Sequence, residues 1–193
     1  MQPDLFERPA PVLPEGLEYR PDFIGADEEA ALLAALRALP LHEARYKGYT
    51  ARRRVASFGS SYDFDGQRLL PADPVPAFLL PLRAKAAAWI GVAPDEFASV
   101  LVAEYRPGTP LGWHRDVPDH ELIVGVSLAG SARMRLRPYP PVNPKKADVI
   151  ALELAPRSAY RLRGVARWGW QHSIAPTTEL RLSITFRTPR RRG

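Results

Sequence analysis

The chain has 193 residues, 46% hydrophobic and 25% charged, with a net charge of +6 and no cysteine. That length suits one domain around a single core, and no run approaches the roughly 20 apolar residues of a membrane span. Without cysteine there is no disulfide, thiolate zinc site, iron–sulfur cluster or cysteine nucleophile.

Residues 1–17 hold Pro3, Pro9, Pro11 and Pro14, the pattern of an extended segment. Asp4, Glu7 and Arg8 have no apolar core behind them, so this is not expected to be a secretory signal, and a reducing cytoplasm is the expected setting. Asp27, Glu28 and Glu29 precede Leu32, Leu33, Leu36 and Leu39 at helical spacing. Acids in a first turn complement the helix dipole, so a helix is predicted over 27–39. Residues 44–68 are basic and aromatic, with Gly48, Gly59 and Gly66 as breaks, and read as short strands or long loops. A second helix is predicted over 76–90, with Phe78, Leu82, Ala86 and Trp89 on one face and Pro81 near its first turn.

From residue 98 the pattern changes to period two, with strands expected at 98–106, 122–128, 132–137, 148–154, 158–163 and 180–187. No helical pattern separates these strands, which argues against a parallel α/β fold. Two helices followed by many short strands indicate an α+β chain, its N-terminal helices packed on one side of a β-sandwich or jelly roll. The chain ends in a basic tail, 189–193.

The chemistry concentrates in the β half. Gly112-Trp113-His114-Arg115-Asp116 sets a histidine and a carboxylate two residues apart, on one side of an extended segment. His172 follows 58 residues later in sequence. A two-histidine, one-carboxylate face leaves three positions of an octahedron open, which suits iron(II) binding oxygen beside a chelating cosubstrate. A zinc hydrolase can use the same ligand types, but needs one open position and an acid or base that the sequence does not clearly supply. In the last strand, alternation puts Leu182, Ile184 and Phe186 on one face and Arg181, Ser183, Thr185 and Arg187 on the other. A polar strand face ordinarily meets water. Two arginines framing two hydroxyls would equally cradle a dicarboxylate, and iron with a dicarboxylate points to 2-oxoglutarate.

These motifs resemble the AlkB family of iron(II)- and 2-oxoglutarate-dependent dioxygenases. The likeness runs from about Leu17 to Thr188, through Glu104-Tyr105-Arg106-Pro107-Gly108, Trp113-His114-Arg115-Asp116, His172 and Arg181 to Arg187. It implies a double-stranded β-helix core and one catalytic domain over 18–188. It implies iron held by His114, Asp116 and His172, with 2-oxoglutarate and O2 as cosubstrates. By the same likeness Arg181 pairs with the far carboxylate of 2-oxoglutarate, assisted by Tyr105, and Arg187 lies near the metal-proximal carboxylate and the oxygen site. Three positions depart from the family pattern. Ala103 and Ser183 stand where relatives carry asparagine, and Pro118 stands where an acid often reads the target base.

The family reaction is oxidative demethylation of an N-alkylated nucleobase in DNA or RNA. The basic charge favours such a polyanionic partner, although a solvated basic surface carries the same charge. Residues 52–62 resemble the substrate lid of nucleic-acid-acting members, within a lid region of 44–68. Arg52, Arg53 and Arg54 would hold phosphates there, while Phe58 or Tyr62 stacks on a base. Trp113, Trp168 and Trp170 flank the metal ligands in sequence and could line the substrate cavity, or simply pack. Arg133, Arg135 and Arg137 share one strand face, as phosphate grips or as an ordinary exposed surface. The alternatives are an oxygenase acting on a protein side chain or small molecule, and a nucleic-acid-binding jelly roll without catalysis. Neither a membrane nor an obligate protein partner is expected.

Overall fold

The structure, a computed structural model, describes residues 11–46, 49–143, 145 and 148–190, without the side chains of 45–51. Residues 1–10 of the expected extended segment and 191–193 of the expected basic tail lie outside the described residues. The chain forms β1 (Leu17–Arg20), α1 (Ala26–Leu36), β2 (His42–Tyr46), β3 (Tyr49–Phe58), β4 (Ser60–Asp63), β5 (Arg68–Pro71) and α2 (Leu80–Ile90). There follow β6 (Ser99–Tyr105), β7 (Leu111–His114), β8 (His120–Ala129), β9 (Ala132–Pro138), β10 (Ile150–Leu154) and β11 (Ala159–Leu162). A short helix α3 (Gly164–Trp168) then leads to β12 (Trp170–Ile174) and β13 (Arg181–Pro189).

Both expected helices are present, each shorter than the periodicity indicates. After Leu36 the chain tightens into hydrogen bonds from Ala38 to Ala35 and from Leu39 to Leu36, because Pro40 disfavours α geometry in the residue before it. A 3-10 turn over Ala77–Leu79 precedes α2, Pro81 lies in the first turn, and Gly91 ends the helix at φ +76°. Glu29 does more than complement the α1 dipole. Its buried carboxylate accepts the Ala129 amide at 2.9 Å and Arg157 at 3.3 Å, docking α1 against the end of β8.

Seven strands form one sheet in the order β1-β11-β8-β13-β6-β3-β2, and four form a smaller sheet, β10-β9-β12-β7. The helices cover the outer face of the large sheet, where Leu32, Leu36, Leu82 and Ala86 meet Val100, Val126, Ile184 and Phe186. Fully burying each large aliphatic or aromatic side chain there contributes about 1.5–3 kcal/mol. The inner face meets the small sheet, with Ile123 and Leu162 packed among Met134, Leu136, Leu154 and Ile174. Two facing antiparallel sheets of this kind make a jelly roll.

Every expected strand in the β half is found. Segment 44–68 was expected as short strands or loops, but β3 is ten residues long and pairs with β6 in the large sheet. At its end Gly59 turns the chain into the two-stranded β4–β5 ribbon with φ +73°. A Cβ there would lie 2.4 Å from the Ala98 carbonyl oxygen, so the turn requires glycine.

Candidate metal and cosubstrate site

β7 and β12 are adjacent antiparallel strands, and their register sets His114 directly opposite His172. Both rings face the space between the sheets, with centroids 4.2 Å apart. Asp116 lies just past the end of β7, and its Oδ2 is 3.6 Å from Nε2 of His172. One donor atom from each of the three residues lies within 4.8 Å of the others. Nδ1 of His114 is 2.9 Å from the Gly112 carbonyl oxygen. That contact puts the proton on Nδ1, as donor to the carbonyl, and leaves Nε2 as a metal ligand.

The electrostatics suit a cation. Burial alone would raise the Asp116 carboxyl, but Arg187, then His172 and His114, hold it well below the usual carboxylate range. Burial and the neighbouring His114 push His172 down to about 3 against the pull of Asp116. His114 is lowered as well, chiefly by burial. At neutral pH the cluster is therefore one carboxylate and two neutral imidazoles, the protonation states metal binding requires.

Two arginines divide the remaining work. Arg187 donates from Nε to Asp116 Oδ1 at 2.8 Å, so it braces the ligand carboxylate. Arg181, 2% exposed, donates from Nε to Ser127 Oγ at 2.9 Å and lies over the Tyr105 ring. It has no carboxylate partner among the described residues. A buried guanidinium without a counter-ion is costly, and the cavity in front of it is walled by Tyr105, Ser183 and Thr185. The chemistry of this cradle suits a dicarboxylate, one end of which would pair with Arg181 while the other would face the His114, Asp116 and His172 cluster. The polar face of β13 thus looks into the cavity rather than to water, while Leu182, Ile184 and Phe186 fill the core beneath the helices.

Several contributors were not legible beforehand. Tyr160 lines the cavity from β11, and burial raises its phenol above its ordinary value. Its partner on β8 is Gly125, where a Cβ would stand 2.4 Å from the Tyr160 ring. A glycine inside a strand marks such a close approach. Arg167 of α3 is 2% exposed and donates from one terminal nitrogen to the carbonyls of Asp116, Val117 and His120, at 3.2, 2.7 and 2.9 Å. It pins the loop that presents Asp116.

The expected substrate residues separate. Arg53 faces the cavity and its buried Nε has no hydrogen-bond partner among the described residues, whereas Arg52 is exposed. Arg54 is no free phosphate grip: Glu104 opposite it accepts two bonds of 2.9 Å. Phe58 is in the core at 7% exposure, because it shares the outward-facing parity of β3 with Ala56, and it cannot stack on a base. Tyr62 stays half-exposed on β4, edge-on to Phe64 at 5.0 Å. After burial, the Asp119 carboxylate is the main influence raising its phenol. Trp113 lies on the far side of its strand from His114, against Arg137 and Arg135. Trp168 sits between Arg167 and Arg190, and Trp170 packs into the core between the sheets. None of these three tryptophans lines the cavity.

A family model described as the 2OG-Fe(II) oxygenase superfamily matches residues 16–187. The chain belongs to that superfamily. It is an AlkB-like member, and its cofactors are iron(II), 2-oxoglutarate and O2. This oxygenase is 31% identical over 183 residues to an Arabidopsis thaliana protein named alkylated DNA repair protein ALKBH8 homolog, covering 82% of this chain and 50% of that one. It is 35% identical over 107 residues to an uncharacterised protein of Acanthamoeba polyphaga mimivirus, covering 49% and 48%. The chain thus spans about half the length of these curated relatives. Among solved structures the fold matches OsALKBH1 with a TM-score of 0.71 at 16% identity, over 93% of this chain and all of that one. It also matches a Pseudomonas putida prolyl-4-hydroxylase with a TM-score of 0.60 at 18% identity, over 92% and 94%.

Proposed function

We propose that this oxygenase removes N-alkyl groups from bases of DNA or RNA. The observation that carries the reading is the β3–β4 segment: β3 aims Arg53 into the metal cavity, and β4 holds Tyr62, edge-on to Phe64 just past the strand, within electrostatic reach of Asp119. Asp119 lies three residues beyond the ligand Asp116. A base drawn out of its stack needs an aromatic platform and cationic contacts beside the reacting centre. The name of the Arabidopsis relative and the net charge of +6 support the same reading.

Iron(II) held by His114, Asp116 and His172 would supply the oxidising power, with 2-oxoglutarate and O2 converted to succinate, which takes one oxygen atom, and carbon dioxide. One oxygen atom enters the N-methyl C–H bond, and the resulting hemiaminal breaks its C–N bond to release formaldehyde and the unmodified base. The protein's part is positional. Arg181 and Tyr105 orient the cosubstrate, Arg187 and Arg167 hold Asp116 in place, and Leu111, Met134 and Ile174 form the apolar part of the cavity wall. Such preorganisation, rather than a separate acid or base, lowers the barrier.

The rival reading is hydroxylation of a protein side chain, which the fold shared with a prolyl-4-hydroxylase and the loss of Phe58 and Arg54 from the lid both favour. The test is incubation of the protein with iron(II) and 2-oxoglutarate without oxygen, followed by air, across methylated oligonucleotides and proline-containing peptides. Formaldehyde in step with succinate on an oligonucleotide is the expected result. Succinate rising only with peptides would transfer the assignment to the rival.

A further inference from the structure

The outer face of the small sheet carries a built array of cations that the catalytic site does not use. His114 and His172 face inward, so the residues beside them on β7 and β12 face out. β9 runs alongside with Ser173 opposite Arg135 and Gln171 opposite Arg137. Arg135 and Arg137 lie over the Trp113 ring, 5.4 and 4.3 Å from its centroid. Ser173 accepts the Nε proton of Arg135 at 3.1 Å, and Gln171 accepts that of Arg137 at 3.0 Å. Next to them Arg115 stacks on Tyr139 at 3.6 Å and donates to the Trp168 carbonyl.

None of these three arginines has a carboxylate partner among the described residues, whereas Arg133 on the same strand face pairs with Glu153 at 2.5 Å. Three like charges on one face repel, and the aromatic rings together with hydrogen bonds from Nε of Arg135 and Arg137 and from a terminal nitrogen of Arg115 hold them there nonetheless. A guanidinium already held over a ring has less freedom to lose when its planar fork of donors pairs with phosphate. Arginines two residues apart on a strand are about 6.6–6.8 Å apart, close to the spacing of neighbouring phosphates along an extended strand. A solvated basic surface has no need of this stacking.

We propose that this face, built on Trp113, Arg115, Arg135 and Arg137, is a second binding surface for the sugar–phosphate backbone, outside the active site. It rests on the reading that the substrate is nucleic acid. β7, which carries Trp113, is the edge strand of the small sheet and ends at the metal ligands. A strand lying on this face can therefore pass around that edge and deliver one base to the cavity. The surface holds flanking nucleotides of any sequence and makes long substrates better than short ones.

The test uses the full chain with metal bound, an unmodified fluorescent single strand of about 20 nucleotides, and a methylated trinucleotide. Neutralising both Arg135 and Arg137 to glutamine should flatten the log–log salt dependence of binding by about 1.4, which is about 25-fold in affinity near 0.1 M salt. Arg133→Gln, the same charge change on the same strand, should alter binding little. Turnover of the trinucleotide, too short to reach both surfaces, should be unchanged in the double variant. The inference is overturned if the double variant binds like the parent, if Arg133→Gln loses as much, or if the parent binds only an acidic polypeptide offered in place of the oligonucleotide. Should the parent bind through this face yet demethylate no methylated oligonucleotide, the surface stands and the demethylase reading falls.

Discussion

Arg167→Met tests how the metal site is built rather than what it contains. One terminal nitrogen of Arg167 serves three carbonyls, but it has only two protons, so the arrangement is worth about two hydrogen bonds. Bonds involving a charged donor contribute roughly 1.5–3 kcal/mol each. Part of that is offset by desolvating a guanidinium that is 2% exposed and whose own pKa burial lowers. Outer contacts of this kind typically govern metal affinity by about 10- to 100-fold, or about 1.4–2.8 kcal/mol, which one retained bond accounts for. Titrating manganese(II) into the folded apo-protein by calorimetry should show a loss of that size in Arg167→Met. Arg167→Lys, which retains the charge and three protons on a shorter stem, should recover part of it. If the methionine variant is folded and binds metal as tightly as the parent, the 116–120 loop does not need its clamp and the reasoning fails.

Three further outcomes follow from the packing. His120 is buried and held down to about 4, chiefly by burial and then by Arg187; its unfolded value is near 6.5. The unfolded chain therefore binds the extra proton first, and stability falls as pH drops from about 6.5 toward 4, by about 3 kcal/mol at most. Denaturant melts across that range should be visibly flatter for His120→Gln. Tyr62→Ala should weaken oligonucleotide binding by about 1–3 kcal/mol with little salt dependence, whereas Phe58→Ala should cost about 3–5 kcal/mol of folding stability; anisotropy and melting should assign one defect to each. Gly125→Ala forces a methyl against the Tyr160 ring and should destabilise by about 1–3 kcal/mol, and combining it with Tyr160→Ala should relieve that clash in a double-mutant cycle.

The parts legible in the sequence are those that depend on local periodicity and on rare residue types. Alternation along β13 correctly separates Arg181, Ser183, Thr185 and Arg187 from the apolar residues between them, because a strand's period is fixed by its backbone. Four histidines in the chain leave few choices of ligand. β7 and β12 escaped because they are four and five residues long and rich in Gly, Trp, His and Gln, with no apolar alternation to mark them. Arg54 and Phe58 were misread because their fates depend on partners across the sheet: Glu104 lies fifty residues away, and the core side of β3 is set by α1 and α2. Trp113 was misread despite an available signal, since a neighbour of an inward histidine on a strand must face outward. Nothing local marks Arg167, whose role comes from α3 folding back over the ligand loop.

The central claim is that His114, Asp116 and His172 hold iron(II) and that Arg181 binds the far carboxylate of 2-oxoglutarate beside it. The most direct measurement is an anaerobic titration of 2-oxoglutarate into the iron-loaded protein, following the charge-transfer absorption that appears when it chelates the metal. The parent should develop the band to saturation, and His172→Ala should not develop it. Arg181→Ala should need about 30- to several-thousand-fold more cosubstrate, the consequence of losing roughly 2–5 kcal/mol of buried charge pairing. A full band in His172→Ala, or an unchanged midpoint in Arg181→Ala, would contradict the assignment.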